Sequence, residues 1–179
     1  MSGPAERLAA LGLTLPPVTV PVAAYVPAVR TGAYVYVSGQ LPVTAPVAAY
    51  VPALRTGAYV YVSGQVPVAD GKLAGTGKVG AEVSTEEAAG MARTCALNAI
   101  AAAASVAGGL DGIRRIVKVV GFVASAPGFS GQPQVINGAS ELFIAVFGED
   151  GKHARSAVGV AELPLNSPVE VELIAEVRD

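Results

Sequence analysis

The sequence holds one cysteine, Cys95, and one histidine, His153. A lone thiol excludes an internal disulfide framework, and a lone imidazole excludes the usual histidine-rich metal sites. Charge is scarce as well: Asp, Glu, Lys and Arg make up 15% of the 179 residues, against roughly 25% in an average globular chain. So few charges predict that much of the surface is buried against other subunits. The Lys and Arg residues are scattered and the net charge is −2. No basic block or aromatic-basic interleaving tracks a phosphate backbone, so nucleic acid is not an expected partner. Aromatic residues are also few, and the hydrophobic fraction of 52% rests on Ala and Val.

Three stretches carry no charge, Leu8 to Val29, Thr31 to Leu54 and Val119 to Ser140, and each is long enough to raise the question of a membrane helix. Prolines and glycines argue against it. Pro16, Pro17, Pro21, Pro27, Pro42, Pro46 and Pro52 would break helices in the first two, where alternating Tyr and Val read as strand. Glu6 with a single basic residue, Arg7, does not make a secretory signal. The expectation is a cytoplasmic, metal-free protein with no membrane partner.

Length suits one domain spanning 1–179. Inside it lies a tandem repeat: Pro21 to Ala45 is followed at once by Pro46 to Asp70, and the two copies differ only at Val29/Leu54, Leu41/Val66, Thr44/Ala69 and Ala45/Asp70. Solenoids need about three or more units to bury a continuous core, so this is one duplication within an ordinary domain. Each copy reads as a hairpin: a strand at Tyr25 to Arg30 or Tyr50 to Arg55, a Thr-Gly turn, then a strand at Tyr34 to Gln40 or Tyr59 to Gln65. Strict alternation puts Tyr59, Tyr61, Ser63 and Gln65 on one face, with Val60, Val62 and Gly64 on the other.

Further along, Ser84 and Glu87 form a capping box that opens an Ala-rich helix, which Gly108 and Gly109 end. Its stripe of Ala92, Cys95, Ala99, Ala102 and Val106 is predicted to lie on a sheet, with Cys95 a buried structural thiol. Ile113 to Ala124 reads as a strand. Pro133 to Phe147 reads as a second helix with Val135, Ala139, Leu142 and Val146 inward, stopped by Gly148. Strands at Ala154 to Glu162 and Val169 to Val177 follow. Counting one hairpin, the order is ββαβαββ, an α+β mixed sheet with two helices packed on one face and an extra duplicated hairpin. Its open face must meet water or another subunit.

Five polar positions could carry chemistry. Arg155 shares its strand face with Ala157, Gly159 and Ala161, a floor with room for a ligand whose carboxylate the Arg captures bidentately. The same small residues also fit the close approach of another sheet, with Arg155 paired to Glu170 or Glu172. Those two carboxylates lie on one face of the last strand, placed either to hold and polarise a water or to form a solvated strand face. Asn137, near the start of the second helix, reads as a cap or as an amide reaching into a cleft. His153 reads as a general base or as a solvated loop histidine. Nucleotide-binding glycine fingerprints, nucleophile elbows and metal spacings are absent.

The phrases YVYVSGQVPV, VINGASELF and HARSAVGVAELPLNSPVEVELIAEV resemble the Rid/YjgF family, also named endoribonuclease L-PSP-like, over nearly the whole chain once one repeat is set aside. The resemblance implies a chorismate-mutase-like fold, a homotrimer with clefts between neighbouring subunits, and cofactor-free hydrolysis of small 2-imino or 2-enamino acids to 2-oxo acids and ammonia. By position it implies that Arg155 holds the substrate carboxylate and Glu170 orients the attacking water. Tyr50 or its duplicate Tyr25, Ser63 or its duplicate Ser38, and Asn137 would line the cleft. Where the family often has cysteine, two residues after the arginine, this chain has Ala157, whose backbone can still contact the substrate amino group. A rival of another class is a non-catalytic trimer that binds small carboxylates or acts as a regulatory or chaperone-like partner. RNA cleavage, implied by the older family name, would need a basic cleft that the charge distribution does not supply.

Overall fold

The computed structural model describes residues 3–16, 28–31, 34–37 and 51–178. The expected site residues Tyr25, Ser38 and Tyr50 lie outside that set. A short helix, α1 (Pro4–Ala10), comes first, and its Arg7 Nε donates to the Val146 carbonyl. Then come strands β1 (Ala28–Thr31), β2 (Tyr34–Val37), β3 (Ala53–Thr56) and β4 (Tyr59–Gln65), and a small hairpin of β5 (Val68–Ala69) and β6 (Lys72–Leu73). Helix α2 (Thr85–Ala107), strand β7 (Ile113–Ala124), helix α3 (Gln132–Phe147) and strands β8 (Ala154–Val160) and β9 (Val169–Val177) complete the order.

The signals that place α2 are local. Ser84 Oγ accepts from the Glu87 amide at 3.2 Å while Glu87 Oε2 accepts from the Ser84 amide at 2.9 Å, so the capping box satisfies two orphan donors reciprocally. Gly108 ends the helix at φ +83°, a left-handed cap conformation that costs glycine no Cβ clash. Ala92, Cys95, Ala99 and Ala102 are buried, with Val106 packed at the margin of the same core. Between β4 and α2, the two-residue length of β5 and β6 hides their hairpin from any periodicity in the sequence.

The main sheet has the order β1-β2-β3-β4-β9-β7-β8. Pairs β4–β9 and β9–β7 are antiparallel and β7–β8 is parallel, which makes β4, β7 and β8 run the same way. The two long crossovers, through α2 and through α3, therefore advance across the sheet in one direction. Right-handed crossovers advancing in one direction deliver their helices to one face. The vacancy between β4 and β7 is filled by β9, whose Val169, Val171, Leu173, Ala175 and Val177 are buried against the helices. Ile100, Ile136, Leu142 and Phe143 are the large fully buried side chains on the helix side of that core. At Gly138 a Cβ would lie 1.9 Å from the Ala89 carbonyl oxygen, so the missing side chain is what lets α3 cross tightly over α2.

The first repeat adds β1 and β2 beyond β3, as an extra hairpin at the sheet's end. Its registers follow the repeat: Arg30 lies opposite Arg55 and Val35 opposite Val60, each an offset of one copy. The antiparallel pairing of β2 with β3 likewise repeats that of β4 with β3, Tyr34 and Tyr59 both standing opposite Thr56.

One expectation about β4 fails. Val62 lies opposite Leu173 and Gln65 opposite Val171, so Ser63 and Gly64 together face a single residue of β9. This β-bulge inserts one residue and inverts the alternation after it. Gln65 is therefore not on the Tyr59–Tyr61–Ser63 face but on the buried one, at 0% exposure, with its Nε2 donating to the Ser63 carbonyl at 3.0 Å.

Candidate functional site

The expected polar residues gather into two clusters on opposite faces of the sheet. The first is built where β8 meets α3. Arg155 lies opposite Val119, which lies opposite Leu173, and both of those partners are buried under the helices. Residues opposite one another across a ladder share a face, so Arg155 points to the helix side. There its Nη1 donates to Asn137 Oδ1 at 2.8 Å and to Ser140 Oγ at 3.1 Å. Asn137 and Ser140 are three residues apart on α3 and so stand on one side of the helix. With Nη1 held twice, Nη2 and Nε of Arg155 have no hydrogen-bond partner and no carboxylate within ion-pair distance among the described residues. That leaves one edge of the guanidinium fork free for an incoming carboxylate. Ala157 follows on the same face, opposite Gly121 and packed at the core margin.

Two readings of these residues are thereby corrected. Arg155 does not pair with Glu170 or Glu172, because they lie on the other face. Asn137 does not cap α3, since it stands beyond the helix's first turn; its amide serves Arg155 instead.

His153 belongs to the same cluster. Its Nδ1 is 2.7 Å from the Gly151 carbonyl oxygen, its Nε2 is 3.0 Å from Ser140 Oγ, and its ring meets Phe143 edge-on with centroids 5.6 Å apart. Burial lowers its pKa below the ordinary value and the Arg155 charge lowers it further, against an opposing pull from the Gly151 carbonyl. The histidine is neither a solvated loop residue nor free to serve as a general base. Sequence reasoning missed Ser140 altogether; its spacing of three from Asn137 was the available signal.

The second cluster lies on the open face, where β4 meets β9. Glu170 lies opposite Phe122, and Glu172 opposite Val120, away from the helices. The Glu170 carboxyl folds over Gly64 so closely that a Cβ there would lie 1.4 Å from Glu170 Oε1. Burial, and after it the Glu172 carboxylate, push the Glu170 pKa up to about 7. Burial raises Glu172 too. The third carboxylate of this face, Glu176, is bound by Arg114 at 2.9 Å, while neither Glu170 nor Glu172 has a cation within ion-pair distance among the described residues. Ser63, beside Gly64 in the bulge, donates its hydroxyl to the Val51 carbonyl at 3.0 Å. Beneath, Cys95 is buried 3.8 Å from the Val169 carbonyl, and burial followed by Glu170 raises its pKa well above the ordinary value, which makes it the inert structural thiol expected.

The two clusters cannot meet around one small molecule within a single chain. Arg155 and Glu170 are two strand spacings apart, about 10 Å, and three residues out of step, about another 10 Å, and they point to opposite sides of the sheet. The open face between them and the β4 side mixes Tyr59, Tyr61, Phe122, Ile174 and Val158, the last 44% exposed, with the carboxylates. Among the described residues no group of three or more His, Cys, Asp or Glu is placed to hold a metal ion, and no helix is long and apolar enough to cross a membrane.

Comparison with known proteins agrees with this architecture. Residues 41–177 match the family described as "YjgF/chorismate mutase-like, putative endoribonuclease". The match takes in the whole second repeat and only the last residues of the first. The chain is 42% identical to Protein TCP17 of Trypanosoma cruzi over 98% of its own length and 94% of that protein's. It is similar to the crystal structure of Atu1372 from Agrobacterium tumefaciens, a protein of unknown function, with 49% identity, a TM-score of 0.71, and coverage of 75% and 86% of the two chains. It is also similar to E. coli TdcF with bound serine, at 25% identity and a TM-score of 0.53, covering 78% and 96%.

Proposed function

The chain belongs to the YjgF/chorismate mutase-like family, and from that premise we propose that it hydrolyses small 2-imino or 2-enamino acids to 2-oxo acids and ammonia. The observation that carries this reading is Glu170: a carboxyl folded into the sheet face over Gly64 with a pKa of about 7. A carboxylate poised near neutrality can take a proton from water and return it within one turnover. A merely solvated strand face would not hold it there.

In the proposed reaction Arg155 grips the substrate carboxylate through the free edge of its fork, while Asn137 and Ser140 hold the other nitrogen in place. Glu170 takes a proton from a water whose oxygen bonds to the imine carbon, and the carbon–nitrogen double bond becomes single. That proton passes from Glu170 to the nitrogen to give the amino alcohol, which then collapses: Glu170 takes the hydroxyl proton as the carbon–oxygen double bond forms, the carbon–nitrogen bond breaks, ammonia leaves with the proton that Glu170 returns, and the 2-oxo acid remains. Ala157 can contribute only backbone groups. Because the imine is already electrophilic, positioning supplies much of the effect, and a modest acceleration is expected.

Since Arg155 and Glu170 lie on opposite faces of one sheet, a working site takes Arg155 and Asn137 from one subunit and Glu170 and Ser63 from the next. A closed ring, the expected homotrimer, supplies that arrangement at every interface and covers the apolar part of the open face. The test is subunit complementation. Arg155→Ala and Glu170→Gln proteins are each expected to release little ammonia from freshly generated 2-iminopropionate. Trimers reassembled from a mixture of the two contain interfaces with both native groups and recover part of the activity. No recovery in mixed trimers verified by mass spectrometry would refute the shared site.

A second reading, a binding protein for small amino or oxo acids without turnover, draws on TdcF having serine bound and on the free fork of Arg155. Stoichiometric binding of pyruvate with no ammonia release from any imino acid would favour it. RNA cleavage fits less well, because the unpaired carboxylates Glu170 and Glu172 would repel a phosphate backbone.

A further inference from the structure

We propose that His153 and Ser140 are positioning residues that set the orientation of the Arg155 fork, through a relay running from the Gly151 carbonyl to the guanidinium. This rests on the reading of Arg155 as the carboxylate-binding group. The direction of each hydrogen bond follows from what the atoms can do. A carbonyl oxygen only accepts, so at 2.7 Å from Gly151 the His153 Nδ1 carries the hydrogen. In the neutral ring Nε2 then accepts, and the partner at 3.0 Å, Ser140 Oγ, donates its single hydrogen there. That turns the hydroxyl's lone pairs away from His153, toward Arg155 Nη1 at 3.1 Å, which must donate because guanidinium has no acceptor. Asn137 Oδ1 takes the second Nη1 hydrogen at 2.8 Å.

Every rotor in this chain has a stop. The imidazole plane is held by its edge-on contact with Phe143, which is fully buried. Without His153, the Ser140 hydroxyl would turn to the carbonyl one helical turn back, the ordinary habit of a helical serine, and Nη1 would lose an oriented acceptor. A charged His153 would bring a second cation onto a hydroxyl already serving Arg155. Burial and the Arg155 charge both favour the neutral ring. The pattern deepens the sequence reading of Asn137 alone: one guanidinium nitrogen is fixed by two side chains of α3, which holds the plane of the other two nitrogens.

The experiment compares the full-length parent with Ser140→Ala, His153→Phe, His153→Gln and the Ser140→Ala/His153→Phe double variant. Phe keeps the ring packing and removes both hydrogen bonds; Gln offers an acceptor to Ser140. Expected are a rise of about tenfold in KM for 2-iminopropionate and in Kd for pyruvate in Ser140→Ala and His153→Phe, with kcat within about twofold, an amount typical of losing one oriented hydrogen bond to a charged group. The double variant is expected to be no worse than Ser140→Ala, because His153 acts through Ser140, and His153→Gln is expected to restore most of the affinity. In parallel, the Arg155 side-chain resonances, well resolved in the parent, broaden in both single variants. Unchanged KM, Kd and resonances, or effects that add in the double variant, overturn the relay. Should the parent neither bind pyruvate nor turn over imines, the catalytic reading fails, and the Arg155 resonances still decide the relay on their own.

Discussion

Replacing Gly64 with alanine puts a methyl group where the Glu170 carboxyl now lies. The new Cβ would stand 1.4 Å from Oε1, 2.3 Å from Cδ and 2.8 Å from Cγ of Glu170, and ordinary contact begins near 3.4 Å, so Oε1 must retreat by 3.4 − 1.4, about 2 Å. Only the flexible end of one side chain needs to move, and Gly64 is not among the residues with positive φ. Overpacking of about 1 kcal/mol is therefore set against a gain of roughly 0.4–1 kcal/mol from restricting the unfolded chain, and stability stays nearly level. Catalysis does not. A misplacement of 1 Å costs on the order of 100-fold, so kcat is expected to fall at least about 100-fold, some 2.7 kcal/mol of barrier. Steady-state ammonia release from freshly generated 2-iminopropionate measures the loss, with a thermal melt as the control for folding. A kcat within threefold of the parent, at an unchanged melting temperature, would show that the Glu170 position over Gly64 is irrelevant to the reaction.

Glu170→Gln carries a pH signature. The Glu170 pKa is raised from 4.5 to about 7, so between those values the folded chain binds the proton more tightly than the unfolded one; the stability this group contributes is full below about pH 4.5 and lost as pH rises through about 7. Melts of parent and variant from pH 4 to 8 are expected to diverge in the variant's favour on the alkaline side, and parent activity is expected to rise through about pH 7; curves that stay parallel would place the shift elsewhere. Arg155→Lys keeps the charge but loses the planar fork, and kcat/KM is expected to drop by roughly 10- to 100-fold with the melt unchanged, as befits a charge-assisted pair worth about 1.5–3 kcal/mol; parent-like turnover would make Arg155 structural. Deleting Pro21 to Ala45 removes the first repeat, most of which lies before the family match begins at residue 41. The deleted chain is expected to keep the parent's assembly state by light scattering and its activity; an unfolded product would mean that the extra hairpin has become part of the core.

The fate of the duplication shows how local and non-local information differ. The second copy runs directly into the loop before α2 and pairs with β9 through β4, and the family match takes in this copy whole. Nearly identical side chains barely distinguish the copies, and loop closure discriminates weakly, at about 0.6 kcal/mol per doubling of length. The registers of the first copy against β3 and β4 repeat those of its duplicate one copy-length away.

Much was legible in the sequence because the signals are local. Ser84 with Glu87, Gly108 and Gly148 set the ends of the helices through caps that need only a few neighbouring residues. The alternation of Val169 to Val177 and the stripe of Val135, Ala139, Leu142 and Val146 fixed which side of each element is buried. The order of elements followed, and with it the fold class. The strand face shared by Arg155 and Ala157 was also legible, since period-two alternation assigns faces within one strand. Tertiary structure decided everything that compares one strand with another. Alternation cannot say whether Arg155 and Glu170 share a face, because that depends on the ladder register through β7, and the register puts them on opposite sides. Nor can it foresee the bulge at Ser63 and Gly64, a single extra residue that exists only relative to β9 and that sends Gln65 inward. The partnership of Ser140 and His153 with Arg155 likewise depends on how α3 settles beside β8, a relation that no pattern within either element contains. Sequence determines an element from within; the relations between elements are set by packing and pairing, to which each residue contributes only in company with distant ones.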